Sequence, residues 1–192
     1  MHQFLESQFQ KMMYYNAGMT EHIKKHFAKH DKNIHKILLT MDLEVLSQKE
    51  APDQFFLKLT RTIVGQQLSV KVAEVIIKRF YGLFPDEKIT PQGILSLEDQ
   101  AMRDIGMSWA KVKYVKDLAL KTHQNEIAFE KLPQMSEEEV ITELTKVKGI
   151  GQWTAEMFLM FTLGREDLFS YGDLGLRRAI EGIYGLDKDV NV

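Results

Sequence analysis

Residues 144–155 read LTKVKGIGQWTA, and in this stretch two glycines, Gly149 and Gly151, stand one residue apart between helix-forming segments. Glycine adopts positive φ and allows another backbone to approach closely, so this spacing predicts a tight hairpin between two helices. The N–H groups that begin the second helix, together with its dipole, form an anion site suited to a DNA phosphate. The same spacing also fits a plain helical corner with glycines at a helix end. The segment alone leaves both interpretations open.

Helix signals fill the rest of the chain, and no convincing pair of strands is indicated. Apolar residues recur at the helical period after Pro52 and Asp53, and further helices begin near Gln152 and near Gly172 or Asp173. These features predict an all-α fold. The predicted N-caps are Ser69 for a helix to Phe84 with Val72 and Val75 on its inner face, Thr90, the segment 96–99 (SLED) for a short helix to Gly106, Ser108 for a helix to about Thr122, and Ser136 for a capping-box helix to about Val147.

The composition excludes several classes of protein. The 192 residues carry 25 Lys and Arg against 27 Asp and Glu, and this net charge of −2 excludes a uniformly basic nucleic-acid scaffold. The chain has no Cys, which excludes disulfides, Cys-ligated zinc, iron–sulfur clusters and a thiol nucleophile. No apolar run approaches the roughly 20 residues that a membrane span needs, and the N-terminus lacks a signal-peptide pattern. We therefore expect an intracellular protein that contacts no membrane.

Residues 164–178, GREDLFSYGDLGLRR, place Asp173 just before an apolar helix that carries Arg177. An Asp at such a position commonly caps the helix, and that role alone would account for it. Its place about one loop after the glycine hairpin is more distinctive, because it gives the chain a second ordered motif.

These motifs together resemble a known family. VKGIGQWTA (147–155) and SYGDLGLRRA (170–179) resemble the helix–hairpin–helix, Gly/Pro-rich loop and aspartate motif of the base-excision DNA glycosylase superfamily. TRTIVGQQLS (60–69) resembles a segment of its alkylated-purine branch, the 3-methyladenine DNA glycosylase II family, and IGMS (105–108) followed by Lys111 resembles that branch's next signature. The matches keep their order and span about residues 55–180.

The resemblance implies an all-α helix–hairpin–helix glycosylase fold with two helical lobes and the active-site cleft between them. We expect residues 1–192 to form a single glycosylase domain. About residues 1–60 with the C-terminal part would form one lobe, and about residues 61–165 would form the other, which includes the helix–hairpin–helix at 139–163. Family members usually continue beyond the position of Val192, so either this branch is short or the chain is truncated.

The family's catalytic aspartate corresponds to Asp173. Breaking an N-glycosidic bond develops positive charge on the deoxyribose, and a nearby carboxylate stabilises that charge. Trp153 stands where lyase-competent relatives carry a Schiff-base lysine, and an indole cannot form the imine, so the resemblance implies a monofunctional hydrolase. Trp153 can also stack on a flipped cationic base, with a core tryptophan as the alternative. Met157, Met107 and Trp109 are further candidates for the substrate pocket.

Two segments are expected to bind DNA. Gln66, Gln67, Leu68 and Ser69 match the family's minor-groove segment, in which Gln67 or Leu68 would be the wedge that fills the gap left by the flipped nucleotide. A plain loop with internal amide hydrogen bonds is the alternative. The remaining candidates for DNA phosphate contacts are Gly149, Gly151, Thr154 and Arg177.

In this family the hairpin also holds a monovalent cation, Na⁺ or K⁺, through main-chain oxygens. By position these oxygens belong to Thr145, Val147 and Ile150. No cofactor is otherwise required, and the absence of Cys excludes the iron–sulfur cluster found in other branches.

The implied function is excision of alkylated purines, 3-methyladenine foremost, from duplex DNA by base flipping and hydrolysis in base excision repair. The expected partners are damaged double-stranded DNA and downstream abasic-site repair enzymes, and a monomer is expected. The expected location is the cytoplasm, at the nucleoid, in a bacterium and the nucleus in a eukaryote. Two alternatives remain: a glycosylase for another lesion, such as hypoxanthine or uracil, and a non-catalytic helix–hairpin–helix DNA-binding module.

A separate pattern places His22, His26 and His30 on one helix face. Two His at this spacing can bind zinc. No carboxylate stands out as a third ligand and lysines interleave, so a basic surface that faces solvent or DNA is favoured over a metal site.

Overall fold

The computed structural model describes residues 20–41 and 49–186. Over these residues the regular elements are helices and no strand occurs, which confirms the predicted all-α fold. The chain falls into two compact units, with residues 20–41 and 169–186 in the first and residues 50–168 in the second. Within the described ranges, no helix has the length and apolar character to cross a membrane.

The first unit contains helix α1 (20–30), helix α2 (Lys32–Leu38) and helix α10 (Leu174–Tyr184). Asp31 caps α2, because its Oδ1 accepts the N–H groups of Asn33 at 3.0 Å and Ile34 at 3.1 Å. The Tyr184 hydroxyl donates to Oδ2 of the same Asp31. The Asp31 carboxylate therefore caps the start of α2 and also joins α2 to the end of α10.

The second unit carries the buried core. Phe55, Leu59 and Ile63 on one face of its first helix are almost completely inaccessible to solvent, as the apolar period predicts. This helix packs against the next helix and against the longest helix of the unit, and the last two helices pack on each other. The helices are α3 (Phe55–Gly65), α4 (Val70–Tyr81), α5 (Pro91–Ser96), α6 (Asp99–Asp104), α7 (Trp109–His123), α8 (Glu137–Thr145) and α9 (Gln152–Phe161).

Most of the predicted helix starts are confirmed by hydrogen bonds. The capping box at the start of α8 is complete: Ser136 Oγ accepts the N–H of Glu139 at 3.2 Å, and Glu139 Oε2 accepts the N–H of Ser136 at 2.7 Å. Ser69, Thr90 and Ser108 cap α4, α5 and α7 in the same local way. Such caps depend on residues three positions apart, which is why the sequence reveals them.

Two local predictions about α4 were wrong. Val72 and Val75 are 45% and 46% exposed, because only the second half of α4 reaches the core, through Ile76 and Phe80. Helix α4 also ends at Tyr81 rather than at Phe84. The short helix predicted to follow a cap within residues 96–99 is α6, whose N-cap is Glu98, while Ser96 is still the last residue of α5.

Candidate active site

The glycine hairpin lies between α8 and α9, as predicted. Gly149 has a φ of +84°, and a Cβ at this position would lie 2.1 Å from a ring carbon of Tyr114. Only glycine fits there, for reasons of both backbone conformation and space. Gly151 is the N-cap of α9 in an extended conformation, and no heavy atom lies within 4 Å of where its Cβ would be. The two glycines therefore have different roles: Gly149 allows close packing, whereas Gly151 leaves open space.

Several amides of the hairpin are used in internal hydrogen bonds. Lys148 N–H donates to Asp117 Oδ2 at 2.9 Å, and Ile150 N–H donates to the carbonyl of Val147 at 3.1 Å. The first backbone hydrogen bond of α9 runs from the N–H of Ala155 to the carbonyl of Gly151 at 3.1 Å. The first turn of α9 is the positive end of the helix dipole, and open space adjoins it at Gly151, an arrangement suited to binding a phosphate.

The segment of the two glutamines forms a turn between α3 and α4. Gln67 is exposed with a φ of +57°, an uncommon conformation for a residue other than glycine. Leu68 is partly buried and packs against the core, and Ser69 caps α4. Of the two wedge candidates, the geometry favours Gln67, because the apolar side chain of Leu68 is already used in packing.

The turn and the hairpin line one open concavity of about 680 Å³ in the second unit. Trp153 borders it with 48% of its surface exposed, so it is not a core tryptophan. Thr154 also borders it but is only 6% exposed. The other lining residues are Arg61, Thr62, Gly65, Gln66, Gln67, Leu68, Tyr114 and Gly149.

Asp173 lies in the first unit at the start of α10. Its Oδ1 accepts the N–H of Leu176 at 2.7 Å, and its own N–H donates to the carbonyl of Ser170 at 3.1 Å. The residue is partly exposed. The capping role that the sequence suggests is therefore filled, and it fixes the direction of the carboxylate. Arg177, one turn further along α10, is partly buried.

Residues 60–191 match the model of the HhH-GPD superfamily of base excision DNA repair proteins. The chain belongs to this superfamily. It is 34% identical over 142 residues to the putative DNA-3-methyladenine glycosylase YfjP of Bacillus subtilis, covering 69% of this chain and 50% of that protein. It is 36% identical over 137 residues to DNA-3-methyladenine glycosylase 1 of Schizosaccharomyces pombe, covering 68% of this chain and 58% of that protein. The chain thus spans half or somewhat more of the length of these curated relatives.

Two solved structures show the same fold. A DNA-3-methyladenine glycosidase from Bacillus halodurans has a TM-score of 0.70 and 35% identity, with 85% of this chain and 73% of that chain covered. The Schizosaccharomyces pombe 3-methyladenine DNA glycosylase, solved in complex with abasic DNA, has a TM-score of 0.74 and 31% identity. That comparison covers 86% of this chain and 81% of the other.

Three of the predicted pocket residues do not line the concavity. Met107 is 1% exposed and belongs to the core. Trp109 is 50% exposed, but it lies elsewhere, with the guanidinium carbon of Arg103 5.1 Å from its ring centroid. Met157 is partly buried on α9 and is not among the lining residues. The sequence could not separate these cases, because a Met or Trp on a helix has the same pattern in a core and in a pocket wall.

Arg61 and Asp117 are site residues that sequence reasoning missed. Arg61 lines the concavity and is exposed. It lies in the same segment, 60–69, as Gln66 and Gln67, so its proximity to the two glutamines was an available signal. Tyr114 and Asp117 contact the hairpin from α7 across more than thirty residues of sequence, and no local pattern indicates such a contact.

The main-chain carbonyls of Thr145, Val147 and Ile150 stay the predicted ligands of a monovalent cation. The carbonyl of Val147 already accepts one hydrogen bond and retains a second lone pair. The Thr145 hydroxyl donates to the carbonyl of Ile141 at 2.7 Å, so this side chain is bonded within its own helix. Neutral carbonyl oxygens are suitable ligands for Na⁺ or K⁺. His22, His26 and His30 are exposed, and no group of three or more metal-ligating side chains occurs in the described ranges.

Proposed function

We propose that this chain is a monofunctional DNA glycosylase that removes alkylated purines, 3-methyladenine foremost, from duplex DNA in base excision repair. The observation that carries the proposal is the half-exposed Trp153 in one concavity with the Gln66–Gln67 turn and the glycine hairpin. Relatives named DNA-3-methyladenine glycosylase, and one of them solved with abasic DNA, support the substrate class.

Recognition of the base is assigned to Trp153. An alkylated purine carries positive charge, and the face of an indole attracts a cation with about 1–2 kcal/mol when water is excluded. Flipping the nucleotide costs a few kcal/mol, and it costs less for a damaged base that stacks or pairs poorly. Gln67 enters the minor groove and fills the space that the base leaves.

Bond cleavage is assigned to Asp173. The electrons of the C1′–N bond leave with the base, which turns a cationic alkylpurine into a neutral leaving group. The carboxylate stabilises the oxocarbenium-like sugar and orients the water that adds to C1′, and the proton that this water loses passes to solvent. Because Trp153 cannot form an imine, the product is an intact strand with an abasic site.

The hairpin is proposed to bind a phosphate of the same DNA. The amides of the first turn of α9 supply the donors, and the carbonyls of Thr145, Val147 and Ile150 would hold a monovalent cation whose charge attracts the phosphate. We expect a monomer that works on DNA of the nucleoid or the nucleus and leaves its abasic product to a downstream repair enzyme.

The deciding experiment measures base release from methylated duplex DNA by chromatography, with wild type beside Asp173→Asn. Asparagine keeps an oxygen that can accept the N–H of Leu176, so the variant tests the carboxylate rather than the cap. We expect 3-methyladenine release by wild type and its loss in the variant, with DNA binding kept.

Other outcomes separate the alternatives. Release from hypoxanthine or uracil duplexes alone would indicate a different lesion. DNA binding that is unaffected by Asp173→Asn, with no base released by either protein, would indicate a binding module. Borohydride trapping of the protein on DNA, or efficient strand cleavage, would contradict a monofunctional reaction.

A further inference from the structure

Three side chains on one face of α7 hold the turn and the hairpin. Lys111 Nζ donates to the carbonyl of Val64 at 2.9 Å, just before the turn begins. One turn further along α7, the ring of Tyr114 packs against Gly149, and after another turn Asp117 accepts the N–H of Lys148. The spacing of three residues places all three on the same side of α7. Both proposed DNA-binding segments therefore rest on one helix.

Gln66 adds a direct bond between these two segments. Its Nε2 donates to the carbonyl of Gly149 at 2.9 Å, across 83 residues of sequence. Gln66 is partly buried, whereas the next residue, Gln67, is exposed. The side-chain amide of Gln66 is thus bonded to the hairpin, whereas the side chain of Gln67 is exposed to solvent.

The bond also bears on the strained backbone of the turn. Gln67 holds a φ of +57°, and such a conformation persists when the surrounding structure enforces it. The residue before it is fixed to the hairpin, and Leu68 after it packs on the core. If the Gln66 anchor is lost, Gln67 is released to relax toward negative φ and to turn its side chain away.

We propose that Gln66 is a positioning residue that couples the wedge, Gln67, to the phosphate-binding hairpin, and that it does not itself read DNA. This inference rests on the proposed function. A hairpin seated on a phosphate then fixes the turn that enters the groove, so the two contacts form together. Loss of the bond leaves phosphate binding intact and removes discrimination between damaged and undamaged DNA.

The test compares Gln66→Met, which keeps the length of the side chain and removes its donor, with the wild-type chain. Gln124→Met is the matched control, since Gln124 is an exposed glutamine at the end of α7 outside the concavity. Affinities are measured for an undamaged duplex and for the same duplex with a tetrahydrofuran abasic analogue. We expect the preference for the analogue to fall about tenfold in Gln66→Met. Its affinity for undamaged DNA should stay within about twofold of wild type, and the control should match wild type in both.

A double-variant cycle with Gln67→Ala distinguishes positioning from general damage to the fold. If Gln66 acts through Gln67, then adding Gln66→Met to Gln67→Ala causes no further loss of preference. Full additivity of the two losses would contradict the proposal, as would an equal loss of affinity for both duplexes, which marks a direct phosphate contact. Thermal unfolding verifies that each variant folds. If Gln66→Met melts far below wild type, Gln66→Glu takes its place, and the ratio of the two affinities remains the readout.

Failure of this proposal is distinguishable from failure of the proposed function, because binding preference does not require catalysis. A wild-type chain that prefers the abasic analogue and releases no base would contradict the glycosylase activity while the cycle still measures the coupling. A wild-type chain with no preference at all would contradict the coupling itself.

Discussion

The carboxylate of Asp117 accepts the backbone N–H of Lys148 at 2.9 Å, so a side chain of α7 binds the main chain of the hairpin. The same carboxylate binds the ammonium of Lys121 at 2.9 and 3.0 Å. Burial alone raises the pKa of Asp117, but the hydrogen bonds from Lys148 and Lys121 outweigh it, and the net pKa lies below the ordinary 3.8. The Asp117 carboxylate is therefore ionised at neutral pH.

Replacement of Asp117 by Asn should destabilise the fold at pH 7 by about 1 kcal/mol, because the amide oxygen can still accept the N–H of Lys148 but no longer pairs as an ion with Lys121. The measurement is the free energy of unfolding from urea titration. Asp104→Asn is a suitable control, because Asp104 is an exposed acid that accepts only from Gln100 among the described contacts. A loss as large in the control as in Asp117→Asn would contradict the special role of Asp117.

The effect of Asp117→Asn should depend on pH in one direction. A carboxyl with a lowered folded-state pKa contributes stability that is fully present above its unfolded pKa and is lost as pH falls through the folded value. The difference between wild type and the variant should be constant from about pH 5 to 7 and should shrink below about pH 4. Melts across this range provide the measurement, and a difference that grows in acid would be the contrary result.

The two glycines of the hairpin should respond differently to substitution by Ala. Gly149→Ala forces a Cβ into the ring of Tyr114 at positive φ, and we expect a loss of about 2 kcal/mol or more. Gly151→Ala meets open space and should cost under about 1 kcal/mol. If a phosphate binds there, Gly151→Ala should nevertheless weaken DNA binding. Thermal melts and binding to undamaged duplex test the pair, and equal stability losses would contradict the assignment.

Arg61 should contribute equally to the affinity for DNA duplexes of any base sequence. Its exposed guanidinium lines the concavity beside the turn. Arg61→Ala should weaken binding to all duplexes and lower the slope of log K against log salt by about 1. Lys88→Ala, which removes an exposed charge outside the concavity, should leave the slope unchanged. An unchanged slope for Arg61→Ala would exclude a phosphate contact by this residue.

The cap and the proposed chemistry of Asp173 should be separable. Asp173→Ala removes the acceptor for the N–H of Leu176 and should destabilise the fold by about 1 kcal/mol, whereas Asp173→Asn should cost only a few tenths. Both should abolish base release. A stable Asp173→Ala variant would show that the cap contributes little to the fold.

Local rules account for what the sequence predicted well. The buried face of α3 and the capping box at Ser136 depend on spacings of three or four residues, and both match the structure. Burial of Val72 depends on how far α4 extends beyond its neighbours, which periodicity does not report. The Tyr114–Gly149 contact and the Gln66–Gly149 bond are tertiary, so they became visible only once the helices were placed.

The sequence contains two tryptophans, and their surroundings differ. Trp109 lies against Arg103, whereas Trp153 borders the concavity. Replacing Trp109 by Phe leaves a chain whose long-wavelength emission comes from position 153 alone. Stacking of a nucleobase on that indole would quench the emission, so the protein carries its own optical reporter. Stopped-flow mixing with unlabelled DNA would then follow entry of the base in real time.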